Sequence, residues 1–574
     1  MHYRLMSLLL VSALLLASNG MQVRAATTTV ACSGGGTFTI TDNVVSGQNE
    51  CMGSATVPAG VKSIGNEAFK YAVSLTSITI PAEVVSIGFR AFEGANTLAT
   101  VTFADGSQLR SIGANAFDQA RALTAITIPA GVIDIGSDTF NYTTALATVT
   151  FADGSQLRSI GGKAFRFSAL TAITIPAGVG SIGNSAFSNA SSLASVTFAA
   201  GSQLKKIDVY AFYGVSALTA ITIPAAVTSI GANAFYGASA LTTVTFAAGS
   251  QLTLIGSGAF SGASALTAIT IPAGVTSIRD NAFSYASALT TVTFPAGSQL
   301  TLIGSGAFAH TYALTAITIP AGVTSIGNAA FSNASALATV TFAAGSQLTS
   351  IADSTFSSTA LTAITIPIGV TSIGYTAFSD ISGLRSVYFL SNKPTIASNA
   401  FVGVTGATAY IRSTATGFPA VGTLMNGLTI ANGVYTLTYN TNGGSAIAVG
   451  VVLHGLPIST PPAPTRSSYA FVGWSASNGG DTLTFPYLPD TASTTTLYAK
   501  WILITPTRTA SRTASRIATR TTVRTATRTS ARTATRTTAR PRTHTATRTR
   551  TRTFTHTLTR TLTRTPIRTP TRIP

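Results

Sequence analysis

Leu314-Thr-Ala-Ile-Thr-Ile-Pro-Ala-Gly-Val-Thr-Ser-Ile-Gly-Asn-Ala-Ala-Phe331 recurs with small changes along most of this chain. Its closing aromatic is the ruler. Phe69, Phe92, Phe117, Phe140, Phe165, Phe187, Phe212, Phe235, Phe260, Phe283, Phe308, Phe331, Phe356, Phe378 and Phe401 follow at steps of mostly 23 and 25 residues, with two steps of 22 and a final 23. A fixed period of this size marks stacked coils rather than one globular core. It predicts a β-rich solenoid of about 15 coils, one per Phe, built of parallel sheets and short helical turns. Such a stack carries function on long surfaces more often than in a catalytic pocket.

Two forms of the coil alternate. Leu218-Thr-Ala-Ile-Thr-Ile-Pro-Ala-Ala-Val-Thr-Ser-Ile-Gly leads to Ala234-Phe235. Leu241-Thr-Thr-Val-Thr-Phe-Ala-Ala-Gly-Ser-Gln-Leu-Thr-Leu-Ile-Gly leads to Ala259-Phe260 and carries two extra residues after its strand. In Ile221-Thr222-Ile223 the two Ile face one way and the Thr the other, as strand geometry requires. Pro224 ends the strand, Val227 and Ile230 return along the opposite wall, Gly231 allows a tight turn, and Phe235 plugs the core from a short helical turn. About six apolar side chains per coil then face inward (Leu, Ile or Val, Ile or Phe, Val or Leu, Ile, Phe), each worth roughly 1.5–3 kcal/mol when buried. Ordering a coil costs roughly 1.5 kcal/mol per residue, so one coil does not stand alone. Stacking supplies the difference.

The quoted phrase resembles the BspA-like leucine-rich repeat family, a bacterial-type extracellular variant also found in some protists. The family pattern is roughly Leu-x-x-Ile-x-Ile-Pro-x-x-Val-x-x-Ile-Gly-x-x-Ala-Phe, and residues 314–331 match it at every fixed position. The family often has Cys three residues after the Phe, where this chain has Ala190, Ala238, Ala263, Ala334 and Thr359. The family includes surface adhesins that bind host proteins, so the resemblance implies multivalent contact along the solenoid wall. Further on come Tyr435-Thr-Leu-Thr-Tyr-Asn-Thr-Asn-Gly-Gly444, Pro464-Thr-Arg466, Tyr469-Ala-Phe-Val-Gly-Trp474 and Thr496-Leu-Tyr-Ala-Lys-Trp501. These segments resemble the Listeria–Bacteroides repeat (internalin B-repeat type), which implies a small β-grasp-like module. Its aromatics are expected to form a core rather than a ligand platform.

The chain therefore divides into a leader (1–25), an N-terminal cap (26–54), the solenoid (55–404), a C-terminal cap (405–433), the second module (434–501) and a tail (502–574). In the leader, Arg4 precedes an apolar run from Leu8 to Ala17, and Val23-Arg24-Ala25 offers a cleavage site, as in an export signal. A membrane anchor is the alternative, but the run is short of the roughly 20 residues a span requires. No other stretch is long and apolar enough, so removal of the leader leaves no transmembrane segment. Cys32 and Cys51 are the only cysteines. In an exported chain they predict a disulfide whose loop closure contributes about 3 kcal/mol.

The net charge of +19 is local. Of 35 Lys and Arg, 17 lie from Ile502 onward, all of them Arg and without an acid; the preceding residues hold 18 bases against 16 acids. The tail is nearly all Thr, Arg, Ala, Ser and Pro, with Arg at every fourth position from Arg508 to Arg540 and no apolar face to bury. It reads as disordered. It suits a wall-traversing or glycosylated stalk, or contact with anionic polymers. Repeat slippage without a ligand accounts for it equally well.

Little in the chain points to catalysis. Its five His form no pair or HExxH motif, and the abundant Ser have no recurrent His partner to serve as base. Asp105 and Asp153 sit in matching Ala-Asp-Gly-Ser turns two coils apart and read as turn-formers. The glycine run 34–36 lacks the Lys of a phosphate loop. Leu488-Pro-Asp-Thr-Ala492 lacks the Gly of a sortase signal. No catalytic residue, metal or cofactor is predicted.

One outward feature repeats. Thr79, Thr102, Thr127, Thr150, Thr174, Thr197, Thr222, Thr245, Thr270, Thr293, Thr318, Thr341 and Thr365 occupy the outward strand position, and stacking aligns them in a ladder. Thr is also simply a good strand surface residue. As a functional face the ladder suits an extended protein strand or glycan, and ice is a remoter reading. The expected role is adhesion or protein/glycan binding at the cell surface or in the secreted fraction. A structural envelope role without a ligand, and a polyanion-binding tail, are the alternatives.

Overall fold

The computed structural model describes residues 26–47, 50–489 and 495–504. The leader (1–25), the Thr/Arg-rich tail from residue 505 and the end of the Leu488-Pro-Asp-Thr-Ala492 stretch lie outside the described residues. The chain winds into a parallel β-solenoid of about 17 turns. The Phe-marked coils account for fifteen, and strand turns at each end supply the others.

Each coil has four sides. A broad wall is made of strands such as Ala220–Ile223 and Thr243–Phe246, with outward and inward residues alternating. A loop edge leads to a narrow wall of two-residue strands. In it Ile64, Ile87, Ile112 and Ile135 stack in register, each almost fully buried. A turn edge then carries the core Phe and returns to the broad wall. Leu218, Ile221, Ile223, Val227, Ile230 and Phe235 of one coil are all buried. The core Phe rings form one continuous stack, with centroids of adjacent coils 5.0–5.5 Å apart.

The turn edge departs from expectation. Among the described residues there is no helix, and Phe235 sits in a chain of tight turns. Asn233 (φ 53°) and Gly237 (φ 71°) are left-handed, which breaks any helical continuation. Alternate N–H groups thereby point along the stack. Those of Asn233, Phe235 and Gly237 donate to the carbonyls of Ser257, Ala259 and Ser261 in the next coil, at 2.7–2.8 Å. Those of Ala234 and Tyr236 close local turns onto Gly231 and Asn233. One isolated helical turn has a costly nucleus, whereas this arrangement gives each coil a third ladder to its neighbour. Where the family pattern often has Cys, Thr359 is buried and donates its hydroxyl to the Phe356 carbonyl at 2.9 Å.

At the N-terminal end, Thr27–Ala31 and Thr37–Thr41 pair antiparallel, and Val44–Ser46 continues the narrow wall onto Ser63–Ile64. Phe38 meets the first core ring, Phe69, edge-on at 5.7 Å. The Cys32–Cys51 disulfide is formed, with Cα atoms 5.6 Å apart. At the other end, Val434–Asn440 pairs antiparallel with Gly450–Leu453 and parallel with Thr495–Leu503, which in turn pairs with Tyr469–Ser475. Trp474 is 1 % exposed at the centre of that sheet's core. The closing strand runs to Leu503, two residues beyond Trp501.

Candidate functional site

The broad wall is not an even ladder. Within a pair of coils the strands match over four residues: Ala220 with Thr243, Ile221 with Val244, Thr222 with Thr245 and Ile223 with Phe246. Between pairs only Ser195 and Ala220 are in register, and the strands then splay. The cause is the pair of extra residues in the longer coil, which build the loop Ala247-Ala-Gly-Ser-Gln251. There Gly249 is left-handed (φ 74°), and Ser250 N–H closes a turn onto the Ala247 carbonyl at 3.1 Å.

Five of the splays open a notch. The one between Thr102 and Thr127 has a volume of about 530 Å³. Equivalents of about 510 Å³ lie between Thr150 and Thr174 and between Thr245 and Thr270. Others separate Thr197 from Thr222 and Thr341 from Thr365. The third strand residue of the longer coils, expected inside, is only partly buried: Phe103, Phe151, Phe198, Phe246 and Phe342 line these notches. Asp105 and Asp153 stand on the rims of two of them.

The thirteen sequence-predicted Thr are therefore grouped as doublets. Thr79 pairs with Thr102, Thr127 with Thr150, Thr174 with Thr197, Thr222 with Thr245, Thr270 with Thr293, and Thr318 with Thr341. Twelve are exposed, and Thr365, facing Tyr388, is half-buried. The Thr222 and Thr245 hydroxyls lie 3.4 Å apart. The Thr127/Thr150, Thr174/Thr197 and Thr222/Thr245 doublets thus each lie between two notches. The signal for this grouping was present in the two extra residues of alternate coils.

The turn edge carries a second pattern that composition alone hides. Numbering the coils by their core Phe, exposed Tyr71 and Phe89 fall in coils 1 and 2. In coils 4 and 5, Tyr142 stacks on Phe167 at 4.6 Å. In coils 7 and 8, Tyr213 stacks on Tyr236 at 5.1 Å, with Tyr210 edge-on to Tyr213. In coils 10 and 11, Tyr285 stacks on His310 at 4.2 Å, and the His310 ring nitrogen Nδ1 lies 3.2 Å from the Tyr312 hydroxyl. Coils 3, 6, 9, 12 and 13 carry no ring on this edge, and coil 14 carries only Tyr375, 62 % exposed. Charges near the first station cancel: Lys70 pairs with Glu67 at 2.9 Å and Arg90 with Glu93 at 3.1 Å. Next to it, burial pushes the Asp118 carboxyl above the usual carboxylate range, although Asn115 and Asn141 amides donate to it at 3.3 and 3.2 Å.

The BspA type Leucine rich repeat region matches residues 62–194, 180–301 and 301–419 in six copies. This chain belongs to that family. The Listeria-Bacteroides repeat domain matches residues 435–500. A leucine-rich repeat protein from Bacteroides ovatus is 23% identical, with 68% of this chain and 94% of that one covered and a TM-score of 0.50. A leucine rich cell surface protein from Faecalibacterium prausnitzii is 26% identical, covering 68% and 96%, with a TM-score of 0.35. The pneumococcal vaccine antigen PcpA is 20% identical, covering 67% and 94%, with a TM-score of 0.39. No curated protein matches the chain. BspA-type and Listeria–Bacteroides repeats typify bacterial surface or secreted proteins, and their leucine-rich repeats serve as binding scaffolds. Among the described residues, no three His, Cys, Asp or Glu are grouped to hold a metal, and no helix is long and apolar enough to cross a membrane.

In this BspA-type solenoid the Thr column ends in aromatics. Tyr388 and Tyr410 follow Thr365 in register and stack at 5.1 Å, and His454 of the C-terminal module lies 5.0 Å from Tyr410. Tyr388 is 2 % exposed and donates its hydroxyl to the His454 carbonyl at 2.7 Å. Burial pushes its phenol pKa up. The substitution of Tyr for Thr at this position, visible in the sequence, thus marks where the wall stops and the module docks.

Proposed function

We propose that this is an exported, non-catalytic cell-surface or secreted protein that holds an extended extracellular protein or glycan against the broad wall of its solenoid. The observation that supports the reading most is the row of open notches, each lined by a partly buried Phe and flanked by strand Thr. A single notch is shallow and offers few contacts. Several similar notches along one wall convert weak contacts into avidity, because each engagement raises the effective concentration for the next. The relevant test compares full-length parent with Thr222→Lys and Thr270→Lys in capture of cell walls, glycans and matrix proteins at physiological salt. Equal capture by all three proteins overturns the wall reading, and capture of nothing by the parent leaves a structural envelope role.

A second reading rests on the 17 Arg without acids in the tail. A polyanion held there is released steeply by salt, because binding expels condensed counterions. Removal of residues 502–574 abolishes that binding while sparing wall-dependent capture.

A further inference from the structure

We propose that removal of the leader after Ala25 completes the N-terminal cap: it turns the Ala26 amide into an α-ammonium that the Asp42 carboxylate holds, an ion pair that only the processed chain forms. The proposal rests on the reading of the chain as exported and adds what processing does to the fold. Val23-Arg24-Ala25 offers the cleavage position, and Ala26 stands immediately before the strand Thr27–Ala31. The Ala26 N–H donates to Asp42 Oδ1 at 3.2 Å, and the Asp42 N–H donates back to the Ala26 carbonyl at 3.2 Å. Both backbone groups of Ala26 thus meet one residue. Asp42 and Asn43 are left-handed (φ 52° and 63°) and make the turn into Val44–Ser46. The Asn43 carbonyl accepts from the Lys62 N–H at 2.8 Å, which ties that turn to the first coil.

The turn itself has no use for the charge on Asp42, since Asn, Asp and Gly all serve left-handed turn positions. Among the described residues no Lys, Arg or His side chain pairs with this carboxylate. It meets a peptide N–H, which is a neutral donor. Hydrolysis of the Ala25–Ala26 bond changes that donor. Water adds across the bond, leaving a carboxylate on Ala25 and an amine on Ala26. An α-amino group ordinarily titrates at about 7.7–8.0, so the new terminus is chiefly an ammonium at neutral pH. A bond with both partners charged then replaces one with a single charge. The strand gains from it. Thr27–Ala31 is the outermost strand of its sheet, exposed along most of its length and without a charged residue. An edge of that kind is a template for pairing with another chain, and a charge placed on it opposes such pairing. Fixing the head of this strand also fixes the end of the stack, where a solenoid depends on its cap.

The experiment expresses the full-length chain, leader included, in an exporting bacterial host and reads the N-terminus of the exported protein by mass spectrometry. Ala26 is the expected first residue. The exported protein is then compared with the same protein acetylated at Ala26, which keeps an N–H and removes the charge, each with Asp42 and with Asp42→Asn. Asn suits left-handed backbone and keeps an oxygen acceptor, so the turn and the hydrogen bond persist and only the charge is lost. The readout is hydrogen exchange over residues 27–41. With the free amine, Asp42→Asn speeds that exchange about two- to fivefold, the scale of an exposed ion pair. With the acetylated terminus it changes nothing. A complete Cys32–Cys51 disulfide in all four proteins shows that the cap has formed in each. Retention of the leader overturns both this proposal and the export reading, whereas export with a different first residue overturns this proposal alone. So does an effect of Asp42→Asn that is equal in the free and acetylated forms, or absent from both.

Discussion

Two Phe in adjacent coils, Phe235 and Phe246, separate what holds the stack from what it displays. Phe235 lies between Phe212 and Phe260, with centroids 5.2 Å away on both sides and planes within 3°. Phe235→Ala leaves a cavity in a closed core, costing about 3–5 kcal/mol. The two lost ring contacts, about 0.5–1.5 kcal/mol each, are part of that cost. Phe246 is only partly buried and lines a notch, so Phe246→Ala costs about 1–2 kcal/mol, a fraction of full burial. Hydrogen exchange read by mass spectrometry in mild denaturant resolves the difference. In Phe235→Ala, amides that bridge neighbouring coils, such as Phe212 to Ala234 and Phe235 to Ala259, lose protection while distant coils keep theirs. That locality follows from stability being a sum over nearest neighbours. In Phe246→Ala, exchange stays near the parent pattern and wall-dependent capture falls. Uniform loss of protection along all coils refutes the nearest-neighbour account, and equal cost of the two substitutions refutes the assignment of Phe246 to the notch.

Cys51→Ser opens a loop with a sequence separation of 19 and costs the cap about 3 kcal/mol, seen as early exchange at Val45 and Ile64. For Asp118, whose folded pKa is raised by burial, the folded-state contribution is present at acid pH and lost as pH climbs through the carboxylate range. Asp118→Asn therefore raises the unfolding midpoint at neutral pH and shows no such gain below the carboxylate range. Tyr388→Thr restores the ladder residue but removes the stack onto Tyr410 and the bond to His454, so limited proteolysis cuts faster between the solenoid and the C-terminal module. Insertion of a copy of residues 313–360 after Ser264 adds two coils without edge rings and one more notch. Wall-dependent capture then persists, because the inserted coils carry the same strand and loop residues.

The coil period, the inward residues other than the strand Phe of the longer coils, the disulfide and the buried Trp474 were legible in the sequence, because burial and strand alternation leave marks along the chain. The turn edge was not. Ala234-Phe235 after a Gly suits a helical turn as well as it suits left-handed turns, and the choice is made by hydrogen bonds to the next coil. The notches were missed for a related reason. Strand pairing across coils decides whether Phe246 closes the wall or faces solvent, and pairing is a property of neighbours rather than of one coil. The thirteen Thr lie on strands, and their grouping into doublets depends on where the extra residues of alternate coils push the backbone.

The broad wall and the turn edge follow the repeat differently. Similar notches every two coils are what copying a two-coil unit produces, and they differ in rim residues such as Asp105 and Asp153 and in volume, from about 310 to about 530 Å³. Their number still matters, since avidity depends on repetition and not on its origin. The edge rings run against the two-coil unit: Tyr213 and Tyr236 sit in coils 7 and 8, where duplication of the Tyr142 and Phe167 coils places rings in 6 and 7. The backbone at Tyr71, Tyr142, Phe167, Tyr285 and His310 is left-handed. Bulky side chains pay a conformational penalty there that Gly or Asn largely avoids, roughly 1–2 kcal/mol per residue. Gln119 and Ser358, in coils without edge rings, are left-handed at the same position and donate to the Asn141 and Ser379 carbonyls of the next coil, so the edge backbone is set by the ladder between coils and not by its rings.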